Sequence, residues 1–277
     1  MVSGKEKRNY LKAIKYEFIV GARITKGRYI VTIFLFLLIV RFLIFQGNIN
    51  FWDFCVKLWE GIPVYKRSEN SVFILPALLM FVQTVLFFVV GSYPTKEIQD
   101  YGKFSFLYSS RRQWWVRKSV WIFVNIGIFF VVLYFMIGLG TVIKTKDWSS
   151  LSIINASVAK EMSASNYRRL LVWCFLLPFM VSEVFGILQL FISVYVKPIY
   201  GYLMIEIILV LSAYFTNPFL IGNYMMLLRA DVFLQNSCIN LEWGTVYCIL
   251  LYTFLFTIGF ILISTKDILY KKDDVDE

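Results

Sequence analysis

Residues 119–143 read SVWIFVNIGIFFVVLYFMIGLGTVI, 25 positions without one charged side chain. Wound as an α-helix, such a run is about 37 Å long, more than the roughly 30 Å hydrocarbon core of a bilayer. Uncharged runs recur at Ser71–Thr95 and at Trp243–Thr265. Three further apolar stretches, each with a single charge, extend the pattern, and hydropathy predicts spans at 29–46, 71–92, 119–141, 170–193, 198–215 and 243–264. Lipid offers no partner to backbone N–H and C=O groups, so continuous runs of this kind cross as helices, whereas a barrel would show short alternating segments. The expected fold is an all-α polytopic membrane protein, a single transmembrane domain over residues 1–277. Composition agrees: 59% of residues are apolar, 19% are aromatic, and the mean hydropathy is +0.68.

Six spans put both termini on one side. Of the 28 Lys and Arg residues, 18 fall on that side, 9 fall opposite, and Arg41 lies within a span. By the positive-inside rule both termini are cytoplasmic. The net charge of +10 is then a topology signal and an attraction to anionic membrane lipids. Basic residues flank spans and form no separate domain, which argues against nucleic-acid binding. The charged first 28 residues do not read as a cleavable signal peptide. The four cysteines are scattered: Cys174 and Cys248 in spans, Cys55 and Cys238 in outward loops, where a bridge between them or two free thiols both fit.

Residues 1–28 are expected to form an amphipathic helix at the inner leaflet. Leu11, Ile14, Phe18 and Ala22 make an apolar stripe, Lys7, Arg8, Lys12, Lys15 and Arg23 decorate the remainder, and Tyr10 and Tyr16 suit headgroup depth. A charged extension of the first span has the same composition. In the 93–118 loop, Pro94 ends the second span and Ser109–Ser110 supplies an N-cap ahead of Arg111. Trp114 and Trp115 fall where an aromatic belt would lie, before Arg117 and Lys118. A charged stretch from Lys96 to Lys103, containing Glu97 and Asp100, precedes the apolar group Phe104, Phe106, Leu107 and Tyr108. An apolar ridge beside charges suits a docking surface. On the opposite side, 47–70 is short and aromatic, and 142–169 is polar with a helical turn expected at Val158–Met162. Asn217–Pro218 breaks the fifth span, and the apolar 219–228 that follows fits a re-entrant or interfacial hairpin, or a deeper fifth span.

Arg41, Glu183 and Glu206 are the ionisable residues within spans. Each costs about 2.5–3.5 kcal/mol at a helix centre on insertion scales, so such groups face protein or water. Arg41 lies near a span end and can snorkel out. Glu183 and Glu206 lie at similar depth on an antiparallel pair joined by Val194–Lys197, where they could share a proton, line a cargo pathway, or bond neighbouring spans. The chain has no histidine, which removes His-based triads, HExxH zinc sites and histidine relays. It has neither a GxxxxGK[ST] loop nor GxGxxG, so it does not cradle ATP phosphates in that way. No metal or cofactor site is expected on this chain.

Together these features resemble the membrane subunit of an ABC-2 type transporter, nearest to the small permeases of low-GC Gram-positive bacteria, including the bacteriocin and antibiotic self-protection group. The likeness rests on Lys96-Glu97, Phe104–Tyr108, the Ser110-Arg111-Arg112-Gln113-Trp114-Trp115 group up to Lys118, and the exit sequence Thr265-Lys266-Asp267-Ile268-Leu269. The resemblance implies that Lys96–Tyr108, with Arg111 and Arg112, forms the coupling region for an ATP-binding cassette subunit, and that residues 1–28 form an elbow helix. It also implies that ATP and Mg are held by that partner, that a second permease copy or a related permease completes the transporter, and that the home is the bacterial cytoplasmic membrane. The 142–169 loop is longer than the tight turn usual in that family. Two other classes stay open: a nucleotide-independent immunity or scaffold protein, and a membrane enzyme using Glu183 and Glu206 as acid and base.

Overall fold

A computed structural model describes residues 4–45, 50–65, 73–91, 93, 110–153, 166–233 and 239–265. The order is α1 (Gly4–Phe45), α2 (Phe51–Trp59), α3 (Ala77–Val90), α4 (Arg111–Thr145), α5 (Tyr167–Tyr195), α6 (Pro198–Tyr214) and α7 (Leu241–Leu262). Among the described residues α4, α5 and α7 are long and apolar enough to cross a membrane, and α3 and α6 are shorter apolar helices. The protein is a membrane-embedded helical bundle.

Side-chain pairs fix the helix directions. Phe36 meets Phe129 and Tyr29 bonds Asn125, so α1 and α4 run parallel. Arg28 reaches the Phe88 and Val89 carbonyls while Tyr93 reaches Glu17, so α3 runs against α1. Gly186 of α5 seats on Ile122 and Ile126 while Cys174 meets Tyr134, so α5 runs against α4. Gly201 lies on Gln189 across the short α5–α6 turn, and Trp115 bonds the Phe256 carbonyl near the end of α7. Thus α1, α4 and α6 point one way and α3, α5 and α7 the other. The centre is α5: Val181–Ile187 are buried on every side of the helix.

Several expectations need correction. The separate elbow helix is absent: residues 4–45 form one uninterrupted helix, because no proline or paired breaker stands near residue 28. Its buried face is Glu17, Gly21, Thr25, Thr32, Phe36 and Val40; of the expected apolar stripe, Ile14 and Phe18 are half-buried and Ala22 is exposed. Small residues win that face by allowing close helix approach; a Cβ at Gly21 would lie 2.1 Å from Trp121 Nε1. Of the span expected at 71–92, the described residues form a helix from Ala77 to Val90, after Pro76. The span expected at 119–141 belongs to the longer α4, whose Ser110 N-cap and Gln113 side chain form a capping box. The 47–70 stretch contains α2, capped by Asn50. The turn expected at Val158–Met162 lies outside the described residues.

Pro178 explains the irregular start of α5. Its missing N–H would leave the Cys174 carbonyl without an intrahelical donor. The helix widens there into a π turn at Val172–Leu176, and the Tyr134 hydroxyl donates to the Cys174 carbonyl at 2.5 Å. Cys55, Cys174 and Cys248 are free, buried thiols. Cys238 lies outside the described residues.

Candidate functional site

Of the residues expected to couple the chain to a partner, Lys96, Glu97, Asp100, Lys103, Phe104, Phe106, Leu107 and Tyr108 lie outside the described residues. Arg111 and Arg112 open α4, and the Arg112 guanidinium lies 5.4 Å over the Phe260 ring of α7. Trp114 and Trp115 form no exposed belt. Both are fully buried: Gly259 makes room for Trp115, and Trp115 Nε1 donates to the Phe256 carbonyl at 3.1 Å.

Around Tyr93 and the first turns of α4, the structure builds a junction that spacing did not reveal. Glu17 of α1 is buried and accepts from the Lys118 ammonium of α4 as an ion pair. The Tyr93 hydroxyl donates to the same Glu17 Oε1 at 2.8 Å. Lys118 also lies 4.1 Å over the Tyr93 ring and 5.6 Å from the Trp114 ring, a cation–π arrangement strengthened by the absence of water. Tyr93 in turn packs on Trp121 at 4.1 Å. Glu17 therefore holds Tyr93, just before the 94–109 segment, and Lys118, two turns into the helix that follows it. Sequence reading placed Lys118 at a span edge and gave Glu17 no role, since their pairing joins positions 101 residues apart.

The intramembrane acids diverge. Glu206 of α6 accepts from Thr84 Oγ1 at 2.8 Å, and Thr84 is 3.4 Å from the Tyr202 hydroxyl. Glu183 lies in the fully buried run of α5, 4% exposed, and neither carboxylate oxygen has a hydrogen-bond partner. Glu183 is within electrostatic reach of Tyr252 on α7. Arg41 is exposed at its end of α1.

The apolar segment before α7 folds into two tight 3-10 turns, Ile221–Met225 and Leu227–Arg229, with Ile221–Leu227 buried throughout. Its keystone is Arg229, 0% exposed. Its five N–H donors meet the Ile62, Pro63, Ser212 and Ala213 carbonyls and Asn223 Oδ1, at 2.5–3.3 Å. The guanidinium thereby satisfies the otherwise orphaned carbonyls at the end of α6 and ties them to the segment leaving α2. One turn away, Asp231 pairs with Arg169 at 3.2 Å and accepts from Trp173 Nε1 at 3.2 Å. The planar fork of an arginine suits several carbonyls at once.

No family model, curated protein or solved structure matches the chain. Functional assignment therefore rests on this chain's own residues.

Proposed function

We propose that this chain is the membrane-spanning permease subunit of an ABC-2 type ATP-binding cassette transporter, moving an amphipathic, peptide-like or lipid-like cargo outward or out of the bilayer. Six crossings with both termini cytoplasmic fit the alternating helix directions and the distribution of Lys and Arg. ATP and Mg belong to a separate subunit, and a second permease, identical or related, completes the assembly in a bacterial cytoplasmic membrane.

The observation that carries this reading is the Glu17–Tyr93–Lys118 junction. In the proposed transporter the ATP-binding subunit docks on Lys96–Tyr108, Arg111 and Arg112. A push on that segment arrives at Tyr93 and at the first turns of α4, and Glu17 passes it to α1. A helix of 42 residues, about 63 Å long, transmits a displacement at one end to the other. ATP drives the bundle only as far as the partner binds its two states differently. Charges within the core, Glu183 and Glu206, are the candidate cargo-path residues.

Replacing Phe104, Phe106 and Leu107 together by Ser tests the assignment. The variant is expected to reach the membrane in normal amount, to lose the ATP-binding subunit on purification, and to lose transport. Retained partner and transport would remove the coupling role and favour an immunity or scaffold protein that needs no nucleotide.

A further inference from the structure

Glu183 combines three conditions that no other acid of the bundle combines among the described residues. It is in the central helix, it is 4% exposed, and both its oxygens lack a donor. The helices packed around α5 offer no cation at this depth: α3, residues 119–143 of α4, α6 and residues 243–265 of α7 contain no Lys or Arg. Gln83 of α3 bonds Ser182, the residue before Glu183, Ile122 and Ile126 of α4 pack at Gly186 one turn on, and Tyr252 of α7 is within electrostatic reach of Glu183. A bare carboxylate enclosed by such groups is too costly to persist, because burying an ion without a partner forfeits its hydration.

We propose that Glu183 is a binding site for one monovalent cation, either a proton or an alkali ion, held at the centre of the bundle. Polar side chains stand on the neighbouring turns. Ser182 and Gln83 exchange hydrogen bonds of 3.1–3.2 Å beside Glu183. The next residue of α3, Thr84, bonds Glu206, which is half-buried. Gln83 and Thr84 of α3 thus place polar side chains beside the Glu183 turn of α5 and beside Glu206 of α6. The site is a property of this chain alone and does not depend on an ATP-binding partner.

The test uses the purified full chain in lipid nanodiscs. Infrared difference spectra would show a protonated-carboxyl band that shifts in D2O, disappears in Glu183→Gln and survives in Glu206→Gln, if the cation is a proton. If it is an alkali ion, sodium or potassium chloride raises the thermal midpoint of the wild type above an equal ionic strength of choline chloride, and Glu183→Gln abolishes the difference. Either result supports the site and names its occupant. Should Glu183→Gln not accumulate, Glu183→Asp, which withdraws the carboxyl by one methylene, is expected to shift the band or weaken the alkali response at least tenfold. Wild-type spectra without a Glu183-dependent carboxyl band, together with identical behaviour in sodium, potassium and choline, overturn the proposal.

Discussion

Single residues carry the polar economy of this bundle. Glu17 and Lys118 form a buried pair, and removing one partner leaves the other uncompensated, which costs about 3–5 kcal/mol. Glu17→Gln and Lys118→Met are each expected to lower the thermal midpoint strongly, whereas the double variant recovers most of the loss; equal and additive losses would contradict the pairing. Tyr134→Phe deprives the Cys174 carbonyl of its donor and is expected to cost about 1–3 kcal/mol, read as a lower midpoint in detergent. Arg229→Lys, which keeps the charge but not the five-donor fork, should destabilise nearly as much as Arg229→Gln, since what is lost is the set of carbonyls it holds. How much of this was legible depended on sequence distance. The Ser110 cap shows in four consecutive residues. The Arg229 and Glu17 sites do not, because their partners come from segments up to 167 positions away.

At the scale of the element, hydropathy located the helices but not their inward faces. The uncharged run at 119–143 became the middle of α4, and the break at Asn217–Pro218 marks the true end of α6. The amphipathic pattern of the first 28 residues did not mark the most buried line, Glu17, Gly21 and Thr25, because close helix contacts in a membrane select small residues. Glycine substitutions test this directly. Gly21→Val places its side chain in the Trp121 indole, whereas a Cβ at Gly127 has its nearest neighbour, Phe179, at 3.9 Å. Gly21→Val is expected to loosen α1 from α4 and cost about 1–3 kcal/mol; Gly127→Ala should change the midpoint little. Equal effects at the two sites would contradict the packing of α1.

For the whole molecule, the helix directions require Lys15 and Trp148, both exposed, to lie at opposite ends of the bundle. A single cysteine at each, in a cysteine-free background, is expected to react oppositely with a membrane-impermeant maleimide in intact cells: Trp148→Cys from outside, Lys15→Cys only after permeabilisation. The reverse pattern would invert the topology. The central claim is that this bundle is one half of an ATP-driven machine whose engine is another chain. Purification of the tagged protein from its native membrane in mild detergent, with prior cross-linking, tests it most directly. The account predicts a stoichiometric ATP-binding subunit and orthovanadate-sensitive ATP hydrolysis; a cross-linked preparation free of both would contradict it.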